Sequence, residues 1–118
     1  DAEREVFEAQ LELEKQNYAQ ADELAYRSMV GASRALIKQQ YHDVPERAEI
    51  IVEEFTLRFL DTELFYDKYA RGKFARYLLQ RHQQGPVHAD ADSVHQLIDQ
   101  AQLFIDAAHA CYARCAVE

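Results

Sequence analysis

The stretch that decides the fold is Arg47–Leu79, RAEIIVEEFTLRFLDTELFYDKYARGKFARYLL. It holds the densest run of large apolar and aromatic side chains in the chain. Ala48, Ile51, Val52, Phe55 and Phe59 stand at i, i+3, i+4, i+7 and i+11, which is one stripe of an amphipathic helix. Ile50 and Leu57 fall on the opposite side and make a second apolar face. The spacing therefore predicts a helix from Pro45 to about Leu60, with Pro45 in its first turn, where a missing N–H costs nothing, and Asp43 as a candidate cap. Asp61-Thr62 reads as a break that caps a further helix over roughly Glu63 to Arg81, with Leu64, Phe65, Ala75 and Leu79 on one face. Gly72 sits inside that pattern, at a cost of about 1 kcal/mol relative to Ala.

The flanking segments read as helices too. Ala2 to Gln16 places Val6, Phe7, Leu11 and Leu13 on one side. After a break at Asn17-Tyr18, Ala19 to Gln40 aligns Leu24, Ala25, Ser28, Met29, Ala32, Ala35 and Leu36. Small side chains at Ala21, Ala25, Ser28, Ala32 and Ala35 let a neighbouring helix come close, so this helix belongs at the centre. Beyond a Gly85-Pro86 turn, a last helix capped by Asp90, Asp92 or Ser93 runs to about Cys115, with Val94, Leu97, Ile98, Ala101, Ile105, Ala108, Tyr112 and Cys115 in register. Three Gly and two Pro leave little turn chemistry for many strands. The expectation is one all-α domain over residues 1–118, an up-and-down bundle of four to five antiparallel helices.

Composition narrows the function classes. The chain has 118 residues, enough for a core without disulfides or metals. A net charge of -8 argues against general nucleic-acid binding, which leans on Lys and Arg neutralising phosphates. No apolar run approaches the ~20 residues that span a bilayer, so no membrane role is expected. Two cysteines make no disulfide framework, and the chain reads as cytoplasmic. It begins at Asp1 without Met, which reads as a piece of a longer polypeptide or a processed product.

No set of side chains forms a catalytic constellation on spacing alone. Cys111-x3-Cys115 offers half of a zinc or iron–sulfur site, and a cluster needs about four thiolates; buried thiols are the plainer reading. His82, His88, Asp90, Asp92 and His95 gather in sequence around the main loop, but in no metal-ligand spacing, and loop polarity with a capping Asp explains them equally. Arg76 before His82, and Arg81 before His88, place a cation near an acid/base; the alternative is solvated helix ends. Glu53 and Glu54 point about 100° apart, so an ion pair from Glu54 to Arg58 is their simpler use. The seven tyrosines read as core-edge residues with hydroxyls in water.

A short first helix, then NYAQADELAYRSMVGASRALI and a closing ADSVHQLIDQAQLFIDAAHACY, resembles the HEPN superfamily of helical-bundle domains. ASRALIKQQY…EIIVEEFTLRFLDTELFYDKYARGKFARYLL resembles, more narrowly, the C-terminal helical extension of bacterial ferredoxin-type nitrite/sulfite reductases, an I-V-x-E-F-x-x-x-F segment matched by Ile51, Val52, Glu54, Phe55 and Phe59. The resemblance implies a parent carrying sirohaem and a [4Fe–4S] cluster that reduces nitrite or sulfite with six electrons. Cys111 and Cys115 do not match that cluster's two cysteine pairs, so no cofactor is expected in this stretch. It would be a non-catalytic accessory module, docked on the reductase body or another chain, or homodimeric, through Ile50, Leu57, Phe65 and Tyr69. HEPN relatives that cut RNA use an Arg-polar-x4–6-His motif, which Arg81-His82-x5-His88 fits across the Gly-Pro turn. Another branch partners nucleotidyltransferases, which makes a nucleotide-binding bundle the remaining alternative.

Overall fold

A computed structural model describes residues 2–39, 45–65, 72–85 and 90–116. Among these, five α-helices and one π-helical turn make up an all-α bundle. They are α1 (Ala2–Glu14), α2 (Tyr18–Lys38), α3 (Ala48–Phe55) continued by the π turn Thr56–Leu60, α4 (Lys73–Gln84) and α5 (Ala91–Ala116). No helix of the described residues is long and apolar enough to cross a membrane.

The break after α1 has a backbone cause. Gln16 takes the left-handed conformation at φ 65°. This lets the Asn17 N–H reach back to the Glu12 carbonyl at 2.9 Å and the Gln16 N–H to Leu13 at 3.0 Å, the paired bonds of a Schellman ending. The chain reverses, and α2 returns along α1 with Arg27 on Glu5 at 3.5 Å. At the far end of α1, Glu3 meets His109 of α5 at 3.5 Å. The Gln39 side chain, just after α2, donates to the Tyr112 carbonyl of α5 at 3.0 Å, so α2 and α5 run side by side in the same direction with α1 opposed to both.

As its run of small residues predicts, α2 is central, burying Ala21, Leu24, Ala25, Ser28, Met29, Ala32, Leu36 and Ile37. Its buried hydroxyls are satisfied locally: Ser28 donates to the Ala25 carbonyl and Ser33 to that of Met29. The largest side chains meet at one end. Phe55, Phe59, Phe65 and Phe104 are all buried, with ring centroids 5.0 Å apart for Phe55–Phe65, 5.6 Å for Phe55–Phe104 and 5.1 Å for Phe65–Phe104. Such contacts add to the burial of area.

Several expectations need correction. Phe7 and Leu11 lie outside the core, Phe7 being 60% exposed. Helix α3 starts at Ala48 rather than Pro45, and its last turn widens to π geometry, marked by the Asp61 N–H on the Thr56 carbonyl at 2.8 Å. Residues 61–65 are turns, and Gly72 caps the start of α4 instead of sitting inside it, because the helix begins at Lys73 and continues to Gln84. On α5, Phe104 and Cys111 are buried while Tyr112 is exposed. The Asp90 cap holds: its Oδ1 accepts the Ser93 N–H at 2.7 Å.

Candidate functional site

Arg81 lies on the inward side of α4, at i+3 from Leu78, and is only 6% exposed. A buried guanidinium needs a counter-charge. Asp22, buried on α2, supplies it: Arg81 Nη2 and Nε lie 2.7 and 3.2 Å from one carboxylate oxygen, Oδ2. Glu23 approaches the same Nη2 at 3.5 Å. The guanidinium carbon sits 4.4 Å from the centroid of the Tyr26 ring, a cation–π contact. The Tyr26 hydroxyl and His82 Nδ1 are 2.6 Å apart. Burial pushes the Tyr26 hydroxyl above its usual range, against the pull of Arg81. It is therefore protonated at neutral pH and shares a hydrogen bond with His82 Nδ1. Tyr26 is a core-edge residue, as expected, but its hydroxyl has a side-chain partner that the sequence did not indicate.

Beside this network, α4 and α5 enclose a cleft of about 310 Å³. Gln80, Gln84, Gln96 and Gln100 line it, with Ser93 at one end and the Arg81–Asp22 pair among its walls. Carboxamides donate and accept without charge. The two ionised groups there are engaged with each other.

The other sequence candidates separate. His88 and Tyr69 lie outside the described residues, so the Arg81–His88 spacing has only its first member in view. His95 instead faces Asp99 along its own helix at 3.4 Å. Among the described residues, no group of three or more His, Cys, Asp or Glu comes together as metal ligands would. Cys111 and Cys115 are free thiols. Cys111 Sγ sits 3.5 Å from the Leu64 carbonyl, which also accepts from Arg114 Nη2 at 3.0 Å. Burial, with Cys115 beside it, raises the Cys111 pKa to about 11, so Cys111 rests as the thiol near neutral pH.

The interface candidates divide as well. Phe65 is 1% exposed and belongs to this chain's own aromatic core, because Glu63 takes φ 63° and swings Phe65 inward. Leu64, its neighbour, faces out at 44% exposure. Leu57 is 55% exposed, and Ile50, seven residues earlier, is half-buried. Glu53, Asp61 and Glu63 beside them are exposed, while Glu54 takes Arg58 at 2.6 Å as its spacing predicts. The π turn lies within this face, held by Thr56 Oγ1 on the Val52 carbonyl and Thr62 Oγ1 on that of Arg58. π turns are frequent at functional sites.

Asp22, Tyr26 and His82 were not singled out by sequence reasoning as a network. The available signal was a charged residue on each of two core-facing stripes: Asp22 beside Ala21 and Ala25, and Arg81 after Ala75 and Leu78. No family model, curated protein or solved structure matches this chain.

Proposed function

We propose that this chain is a non-catalytic helical interaction module that docks a protein partner through the outer face of α3 and its π turn. One observation carries the reading. Helix α3 is apolar on two sides, Ile51, Val52 and Phe55 inward and half-buried Ile50 with exposed Leu57 outward, and the described residues bury only the inner side fully. A second apolar side on a helix calls for a second covering surface. The resemblance in Ile51, Val52, Glu54, Phe55 and Phe59 supplies the partner: the body of a nitrite/sulfite reductase, with sirohaem and a [4Fe–4S] cluster held outside this stretch.

The ribonuclease alternative asks Arg81 to reach a phosphate. That would take its guanidinium from Asp22 and leave a buried carboxylate unpaired, which is expensive. The test is the native polypeptide that contains this stretch. Sirohaem absorption in that polypeptide, together with a colourless, RNA-inert 118-residue chain, is the expected result. A colourless native polypeptide removes the reductase, and RNA cleavage lost on Arg81→Lys without loss of folding removes the non-catalytic reading.

A further inference from the structure

Resting on the docking reading above, we infer that the partner segment presents an apolar ridge edged by Lys or Arg, and that it is not a second copy of this chain. The apolar part of the face is Ile50 and Leu57, one above the other at i, i+7 on the helix, with Leu64 on the turn that follows. Its charge is mostly acidic, with two cations at the margins: Arg47, three residues before Ile50, lies on Glu49 at 3.4 Å, and Arg114 donates to the Leu64 carbonyl at 3.0 Å. Glu53 lies between Ile50 and Leu57 along the chain, and Asp61 and Glu63 follow the π turn; all three are exposed, and the ion pairs of this segment among the described residues are Arg47 with Glu49 and Arg58 with Glu54. Arg58 in the same segment is half-buried and turned onto Glu54.

Charge complementarity then selects the occupant. A second copy related by a two-fold axis brings the same patch against itself, so a face richer in carboxylates than in cations would meet one of the same sign. Like charges juxtaposed at an interface are a cost that suppresses wrong partners, and the net charge of -8 adds long-range repulsion between copies. A ridge of Leu or Ile flanked by Lys or Arg buries Leu57 and answers the rim carboxylates together. Rim pairs of this kind act mainly on association rate and are screened by salt.

The experiment uses the 118-residue chain and two synthetic amphipathic helices with the same leucine face, one edged with lysine and one with glutamate. Binding is followed by calorimetry at low and high salt. The lysine peptide is expected to bind and the glutamate peptide to fail. Leu57→Ser weakens the lysine peptide about tenfold or more, as loss of a central apolar anchor does. Glu53→Gln with Glu63→Gln weakens it several-fold and flattens its salt dependence. These positions are exposed, so the variants keep their fold, and Phe7→Ser, on an exposed apolar position of α1, is the control that leaves binding unchanged.

Equal binding of both peptides, binding of neither, or a loss on Phe7→Ser in place of Leu57→Ser overturns the assignment. So does a dimer of the free chain that Leu57→Ser dissolves, since that makes the second copy the occupant. These failures leave the wider docking reading to its own test on the native polypeptide.

Discussion

Arg81 and Asp22 stand 59 residues apart in the chain and meet inside the bundle, with Nη2 2.7 Å from Oδ2. The pair ties α4 to α2. Removing one partner strands a buried charge, so Arg81→Ala or Asp22→Ala is expected to cost about 3–5 kcal/mol in urea unfolding. Replacing both, as Arg81→Met with Asp22→Leu, recovers most of that loss, because two desolvation penalties vanish together. Single-variant losses below about 1 kcal/mol would place the pair in a solvated setting and reopen Arg81 to a ligand.

Leu64 and Phe65 are adjacent and point opposite ways. Phe65→Ala opens a hole against Phe55 and Phe104 and is expected to cost about 3–5 kcal/mol. Leu64→Ala, at an exposed position, is expected to stay within about 0.5 kcal/mol. Matched denaturant curves decide between this contrast and equal effects, which would mean that Glu63 does not turn the chain as described.

Gln16 and Glu63 are non-glycine residues with φ of 65° and 63°. A side chain in that region costs about 1–2 kcal/mol that glycine avoids, offset partly by glycine's larger entropy loss. Gln16→Gly and Glu63→Gly are each expected to raise stability by about 0.5–1 kcal/mol. A lower melting temperature for both would contradict these backbone conformations.

The Cys111 thiol titrates at about 11 in the folded chain against an ordinary 9.0. Between those values the unfolded chain releases the proton while the folded chain keeps it. Stability therefore falls as pH rises through that window and is unaffected by this group below it. Cys111→Val is expected to flatten this alkaline limb. At mildly alkaline pH, Cys115 is alkylated first, which mass mapping of the modified peptides reads directly.

The bundle was legible where apolar spacing at helical period was the whole signal, as in α2 and α5. It was illegible where a single backbone choice moved a boundary. Gly72 read as a helix interior because Ala75 and Leu79 continue the pattern of Leu64 and Phe65, yet it caps α4. The π turn left no trace, since its shifted hydrogen bond at Asp61 requires no particular residue. Phe104 escaped because it lies to one side of the Val94–Ala108 stripe, at an edge packed against Phe55 and Phe65. Of the docking face, Ile50 and Leu57 could be read as a second apolar side. Phe65 could not be placed without knowing the turn at Glu63, nor could Arg81 without knowing its distant partner Asp22.

The central claim is that a partner protein covers the outer face of α3. Carbodiimide footprinting of carboxylates tests it most directly, applied to the native polypeptide in its assembly and to the 118-residue chain alone. The account predicts that Glu53, Asp61 and Glu63 are labelled freely in the isolated chain and protected in the assembly, while exposed Glu14 on α1 is labelled equally in both. Equal labelling of Glu53, Asp61 and Glu63 in the two samples would contradict it.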